Sequence, residues 1–376
     1  MDIKKLGEIC TIVSGGTPSR TNTEFWDGGT IPWIKIGDIK EKHVSKADEY
    51  ITQAGLDGSS AKMLSKGTIL YTIFATLGEA GILTIDACTN QAIAGITIKN
   101  QDEVLADYLY YYLKSKKSYV NNLGRGVAQN NINLSILRNL EVPLPALPTQ
   151  RQTVDILDKN AKVIEYCQQQ LQKLDDLVKA RFVELFGDMF LNIEEWNEAP
   201  LESMADIVSG ITKGRKVSEK HLIKVPYMAV SNVKEGYIDW TTVKTIEATE
   251  QEINQYRLLP DDVLMTEGGD PDKLGRGAII KTPLENCIHQ NHIFRVRLDE
   301  THILPVYFAE YLQHQRAKRY FLGCAKQTTG IASINMRQLK ALPVLIPPLG
   351  LQNQFAAFVT QTDKSKAAIQ KALDEA

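Results

Sequence analysis

Residues 132–150 read INLSILRNLEVPLPALPTQ, and residues 334–352 read INMRQLKALPVLIPPLGLQ. Aligned without a gap at an offset of 202, the two stretches share eight of nineteen residues. A chain of 376 residues that repeats itself at this distance is constrained to fold as two related halves. The echo runs outward from these stretches. Val13-Ser14-Gly15 returns as Val208-Ser209-Gly210, and Ile31-Pro32-Trp33-Ile34 as Val225-Pro226-Tyr227-Met228. Lys66-Gly67-Thr68-Ile69-Leu70 matches Pro260-Asp261-Asp262-Val263-Leu264, Cys88 matches Cys287, and Tyr108-x-x-x-Tyr112-Leu113 matches Tyr307-x-x-x-Tyr311-Leu312. The offset grows from about 195 to 199 to 202, as insertions in the second copy require. A period this long describes a duplicated domain, not a solenoid of short repeats.

Each copy has the same layout. It opens with short runs of β-branched and aromatic residues cut by glycine-rich turns, which predict strands. Leu105, Tyr108, Leu109, Tyr112 and Leu113 fall at helical spacing and predict a helix from Glu103 to Val120. A polar loop follows, GRGVAQNN in the first copy and QTTGIAS in the second. The prolines of LEVPLPALP and VLIPPLG then favour extended structure, a stiff linker.

After each linker the hydrophobic period changes. Thr149 with Gln152 three residues on forms a capping-box signature, and Gly187 suits a helix stop. Leu157, Ala161, Ile164, Gln168, Leu171, Asp175, Val178, Phe182 and Leu185 alternate at steps of four and three, a coiled-coil-like seam. Phe355, Val359, Thr362, Lys366, Ile369 and Leu373 continue that step in a shorter seam. Two such helices can hide their seams on each other, and antiparallel pairing makes the repeat an approximate two-fold axis. The expected fold class is α+β: two pseudo-two-fold-related β-rich α/β domains separated by two long, antiparallel coiled-coil-like helices. The boundaries are 1–148, a helix at 149–187, 188–347, and a second helix at 348–376.

The search for an active site returns little. No H-E-x-x-H pair, G-x-S-x-G elbow or Walker A loop occurs, and the five cysteines have no metal-ligand spacing. Asp38-Ile39-Lys40 has the carboxylate-x-lysine form of many nucleases but lacks a partner carboxylate in context, so a solvated hairpin end is preferred. At a net charge of −2 the chain does not simply coat polyanions. Basic groups nonetheless cluster on loops and helix ends: Lys114, Lys116, Lys117 and Arg125; Arg316, Lys318, Arg319 and Lys326; and Lys213, Arg215, Lys216, Lys220 and Lys224. Such groups neutralise phosphates, and polar loop residues read base edges. MDIKKLGEIC lacks the apolar core of a signal peptide, so a cytoplasmic protein with no membrane partner is expected.

SGGTPSR with IPWIKIGDI (Ser14 to Ile39), QNNINLSILRNLEVPLPALPTQRQ (Gln129 to Gln152) and its echo at 334–352 resemble the specificity subunit of type I restriction–modification systems. The resemblance covers nearly the whole chain. It implies that each half is a target recognition domain reading one half of a bipartite sequence in double-stranded DNA, with the helices as a ruler between half-sites. It also implies a non-catalytic chain with no cofactor of its own. Two methyltransferase subunits would bind S-adenosylmethionine, and restriction subunits would use ATP and Mg. The two copies differ between 72–83 and 265–280, so the expected target is asymmetric.

Candidate DNA-contacting residues are chosen from loops: Arg20, Thr21, Lys35 and Asn90 in the first half, and Lys213, Arg215, Asn232, Lys273, Arg276 and Gln290 in the second. Arg125, Gln129 and Asn130 are expected to contact the DNA backbone. A coiled-coil protein-interaction scaffold without DNA binding, and a nuclease using Asp38 and Lys40, are the competing readings.

Overall fold

The computed structural model describes residues 2–124, 131–189, 191–192, 194–216, 221–269, 274–328 and 331–375. It divides into two compact units, Met1–Ile164 and Glu165–Ala376, and the division falls inside a long helix. In the first unit, strand β1 (Asp2–Lys5), helix α1 (Leu6–Ile9) and β2 (Cys10–Ser14) are followed by β3 (Ile31–Ile34), β4 (His43–Val44), β5 (Glu49–Ile51) and α2 (Gln53–Asp57). Next come β6 (Ile69–Thr72), β7 (Ala80–Leu83), β8 (Cys88–Thr89) and β9 (Ile93–Ile98). The unit closes with α3 (Ala106–Ser115), α4 (Lys117–Gly124), α5 (Leu134–Arg138), β10 (Glu141–Leu144) and the first part of α6 (Leu147–Phe186).

The second unit repeats this plan. It contains β11 (Asn197–Pro200), β12 (Ala205–Ser209), β13 (Ile223–Met228), β14 (Lys244–Ala248), α7 (Glu250–Tyr256) and β15 (Val263–Thr266). Strands β16 (Gly268–Gly269), β17 (Gly277–Ile279), β18 (Ile288–His289) and β19 (Ile293–Leu298) come next. The remainder is α8 (Pro305–Gln313), α9 (Gln315–Cys324), β20 (Lys326–Thr328), β21 (Ile331–Ser333), α10 (Met336–Lys340), β22 (Pro343–Ile346) and α11 (Leu349–Glu375).

Sheet order shows the repeat directly. The first unit has β2-β9-β6-β7-β4, β5-β3-β8 and the ribbon β1-β10; the second has β12-β19-β15-β17, β14-β13-β18 and the ribbon β11-β22. A further small sheet, β16-β21-β20, belongs to the second unit. The central strand of each main sheet is buried on both faces. Ile69 and Tyr71 of β6 face a core shared with Leu109 and Leu113 of α3, while Leu70 faces Ile34, Val44 and Leu64. Val263 and Met265 of β15 face Tyr307 and Phe308, and Leu264 faces Met228 and Ile280. The fold class is α+β, as expected.

Four local expectations need correction. The helix expected over Glu103 to Val120 is two helices, broken at Lys116. The proline-rich stretch is a paired strand: β10 runs antiparallel to β1 with Pro143 opposite Ile3, and a two-stranded ribbon tolerates a residue without an N–H. Helix α6 starts at Leu147 with Pro148 in its first turn, where the missing N–H leaves no bond unmade, so Thr149 and Gln152 do not cap it. Register also shifts the cysteine match. Trp33 pairs with Cys88 and its counterpart Tyr227 with Ile288, so Cys287 corresponds to Ala87.

At 40 residues α6 is ~60 Å long by its 1.5 Å rise. It stops at Gly187, whose φ of 67° is the left-handed cap that glycine adopts without strain. Within the second unit its last turns pack antiparallel on α11. Phe186 and Phe182 meet Phe355 at ring distances of 5.8 and 5.3 Å, Arg181 lies 5.8 Å over Phe358, and Asp175 meets Lys366 at 2.5 Å. Numbers fall along one helix as they rise along the other. Val178 and Phe182 on α6 are buried, as are Phe355 and Thr362 on α11, which bears out this part of the seam. The 27-residue α11 is the shorter helix.

Candidate nucleic-acid interface

In the first unit the ends of several strands meet at one edge. Gly15 N–H donates to the Ile93 carbonyl at 3.1 Å, Gly16 to Thr89 at 2.8 Å, Asn90 to Ile34 at 3.2 Å and Ile73 to Ala92 at 2.9 Å. The loop after β2 can pass here only because Gly15 lacks a side chain: a Cβ would sit 2.2 Å from the Thr89 carbonyl oxygen. Glu49 of β5 is the hub of the charged groups on these loops. Its carboxylate meets Arg20 at 2.5 Å and Lys35 at 2.6 Å, and these two bonds, Arg20's first, hold its carboxyl below the ordinary glutamate range. The Arg20 guanidinium also lies 3.7 Å from the Trp26 ring centre and 4.9 Å from that of Trp33.

The second unit builds the same edge. Ile211 N–H donates to His289 at 2.9 Å, Gln290 to Met228 at 3.0 Å and Asn291 to Ile211 at 3.1 Å. Arg215 bonds Glu252, with Nε 2.5 Å from Oε1 and Nη2 on Oε2, and Nη2 reaches the Glu247 carbonyl at 3.2 Å. Arg215 is the leading cause of the lowered Glu252 carboxyl. Glu267 meets His292 at 2.5 Å beside the end of β15.

The sequence-derived candidates fare differently. Arg20, Lys35 and Asn90 converge at the first edge, with Thr21 exposed and bonded to Ser19 at 2.9 Å. Asn90 spends its side-chain oxygen on the Ala92 N–H at 3.1 Å. Gln290 stands where Asn90 does, its carbonyl taking the Ile293 N–H as Asn90 takes that of Ile93. Lys213 is exposed on the same loop as Arg215. Arg276 is half-buried, its carbonyl accepting from Thr266 N–H at 3.2 Å. Arg125, Gln129, Asn130 and Lys273 lie outside the described residues.

Asn232 is corrected by the geometry. It is fully buried, accepting from Ala229 N–H at 2.9 Å and donating to the Asp239 carbonyl at 3.0 Å and Thr242 Oγ1 at 2.9 Å. Its equivalent is Asp38, which accepts the Lys35 N–H at 2.7 Å, so both residues close a one-turn helix. Other basic groups are also engaged within the chain: Lys117 with Glu79, Arg316 with Glu198, and Lys318 with Glu235. Sequence reasoning missed Glu49 and Glu252, since only tertiary structure says which carboxylate reaches which arginine.

A cavity of about 1400 Å³ in the second unit is lined by Phe182, Lys179, Glu310, Gln313, Phe355 and Lys366 among others, none of them a sequence-derived candidate. Among the described residues no group of three or more His, Cys, Asp or Glu gathers to hold a metal, and no helix is long and apolar enough to cross a membrane.

The family described as type I restriction modification DNA specificity domain matches residues 1–176 and again 193–376. The type I restriction enzyme MjaIX specificity subunit of Methanocaldococcus jannaschii is 29% identical over 221 residues, 57% of this chain and 50% of that protein. The chain thus spans about half the length of that relative. The EcoKI specificity subunit of Escherichia coli K12 is 23% identical over 398 residues, covering 100% of this chain and 84% of that one. Among solved structures, the S subunit of a type I restriction–modification system from M. genitalium superposes with a TM-score of 0.56 at 15% identity, over 100% of this chain and 92% of that one, a likeness of fold. Two copies of one matched domain account for nearly all of the sequence, and the chain belongs to the type I restriction–modification DNA-specificity family.

Proposed function

We propose that this chain is the sequence reader of a type I restriction–modification complex. Residues 1–148 and 188–347 are its two target recognition domains, each reading one half of a split site in double-stranded DNA. The helices at 149–187 and 348–376 fix the spacing between half-sites. Two methyltransferase subunits dock on the chain and bring S-adenosylmethionine; restriction subunits bring ATP and Mg. The chain itself is non-catalytic and cytoplasmic.

The observation that carries this reading is the loop edge built twice on one scaffold with different side chains: Arg20, Lys35 and Glu49 in one unit, Lys213, Arg215 and Glu252 in the other. Identical readers related by a two-fold axis select palindromes; readers with different loop chemistry select two unrelated half-sites. Methylation mapping tests it, in cells carrying the gene with its genomic neighbours against a strain lacking this chain alone. The expected result is a split, asymmetric adenine-methylated motif that vanishes in the deletion. A motif that persists there, with an active methyltransferase, rejects the reading.

A further inference from the structure

The loop after β2 and its counterpart after β12 are held at both ends by a glycine and an arginine, and the arginine's carboxylate partner differs between the units. Each enters through a glycine pressed on a strand end. A Cβ on Gly15 would lie 2.2 Å from the Thr89 carbonyl oxygen, and one on Gly210 would lie 1.8 Å from that of His289. Each leaves through an arginine five residues on, Arg20 or Arg215. Arg20 takes its carboxylate from Glu49 on β5, whereas Arg215 takes it from Glu252 on α7.

The swap is complete. Glu49 sits opposite Trp33, and at that register position the second unit has Lys244 opposite Tyr227, a cation that cannot bond arginine. Glu252 is the third residue of α7, where α2 has Gly55. The carboxylate changed position and the arginine did not. The Arg20–Glu49 pair is half-exposed, and such a pair stabilises a fold by about 0–1 kcal/mol, so in the first unit stability alone gives little reason to keep the arginine that the second unit pairs differently. Its placement of the loop does.

Between the fixed ends lie Thr17-Pro18-Ser19 in one unit and Thr212-Lys213-Gly214 in the other. Thr17 and Ser19 are exposed hydroxyls that both donate and accept; Lys213 is an exposed cation that only donates. We propose that these three-residue segments are specificity-determining, one for each half-site, and that Arg20 and Arg215 are positioning residues that preset them. Loops fixed beforehand lose less freedom on binding. A lysine on this loop favours the acceptor-rich major-groove edge of guanine, whereas hydroxyls accept either a donor or an acceptor edge. The inference rests on the DNA-reading function proposed above.

The test maps the methylated motif in cells carrying the gene with its genomic neighbours, using single substitutions at exposed positions that leave the fold intact. Lys213→Ser is expected to change base preference in one half of the motif by about tenfold at one position, leaving the other half and the spacer as they were. Ser19→Lys is expected to change only the other half. Arg20→Gln is expected to broaden the half that Ser19→Lys changes, and Arg20→Lys, which keeps a cation beside Glu49, to restore it. A motif left unchanged by Lys213→Ser or by Ser19→Lys overturns the assignment for that loop. A substitution that alters both halves overturns the one-loop, one-half rule. Failure of the DNA-reading function itself is seen separately, as a motif that survives deletion of this chain.

Discussion

Gln150 and Gln352 each make the same three hydrogen bonds in their own unit. Gln150 Oε1 accepts from Leu105 N–H at 3.0 Å, and its Nε2 donates to the Glu103 and Pro145 carbonyls at 2.9 Å each. Gln352 Oε1 accepts from Leu304 N–H at 2.7 Å, and its Nε2 donates to the His302 and Pro347 carbonyls at 3.1 and 2.8 Å. Both side chains are fully buried. Each glutamine therefore ties the first turn of a long helix to the proline that follows the preceding strand and to the loop that opens α3 or α8. This explains why the repeated stretch ends in glutamine in both copies: one buried amide satisfies three backbone groups at once.

Replacing either glutamine by alanine removes the partner of three backbone groups around a fully buried amide. Gln150→Ala and Gln352→Ala should each cost roughly 2–4 kcal/mol, since three hydrogen bonds of about 1 kcal/mol each are lost together. Urea unfolding of the full chain measures it. Gln352→Glu should be no milder at neutral pH, because a carboxylate cannot donate to the two carbonyls. A loss below about 1 kcal/mol for the alanine variants would remove the glutamines from this anchoring role.

Asp38 and its counterpart Asn232 accept the equivalent backbone bond in the two units. Asn232 makes the same backbone bond without a charge, so Asp38→Asn should leave stability within about 0.5 kcal/mol. Asp38→Ala removes the acceptor and should cost about 1 kcal/mol, as a lost helix cap does. A nuclease that used this carboxylate would behave differently: metal-dependent cleavage by the purified chain, abolished in Asp38→Asn, would restore that reading.

The repeat made the two halves, their sheet-then-helix layout and both long helices legible, because each rests on local period or on alignment of one copy with the other. The seam from Val178 to Phe182 and from Phe355 to Thr362 was readable for the same reason. Features set by distant partners were not. The strand at Glu141–Leu144 depends on β1, whose residues lie at the far end of its unit in sequence, and Pro143 within it and Pro145 after it pointed to a linker instead. Asn232 looked like a loop reader because nothing local reveals that Asp239 and Thr242 enclose it. Cys88 and Cys287 aligned as letters, and only strand register places them one residue apart.

The antiparallel helix contact is held by aromatic packing more than by charge. Phe182 touches Phe186, Tyr307 and Phe355 at ring distances of 4.9, 5.5 and 5.3 Å and is 3% exposed, so Phe182→Ala should cost about 3–5 kcal/mol. The Asp175–Lys366 pair is solvent-accessible on both sides, and Lys366→Ala should cost less than about 1 kcal/mol. Denaturant midpoints of the two variants decide the ranking. If Lys366→Ala proves the more damaging, the helices are held by charge and the spacing should become salt-sensitive.

His289 should make the second unit acid-sensitive. Its ring is wholly buried, with Nδ1 3.1 Å from the Ile293 carbonyl, the Tyr256 ring 6.2 Å away and the like-charged Arg295 nearby. Burial pushes its pKa down from 6.5 to about 4, with the Arg295 charge acting in the same direction against the bond to Ile293. The folded state therefore keeps the ring neutral while the unfolded state protonates it. Its stabilising contribution is complete above pH 6.5 and is lost as the pH falls through the window down to about 4, for a total on the order of 3 kcal/mol. His289→Asn removes this titration, so its unfolding free energy should vary less than that of the parent chain between those two pH values. Parallel curves for the two proteins would mean that the imidazole is reached by solvent or finds a partner for Nε2 in solution.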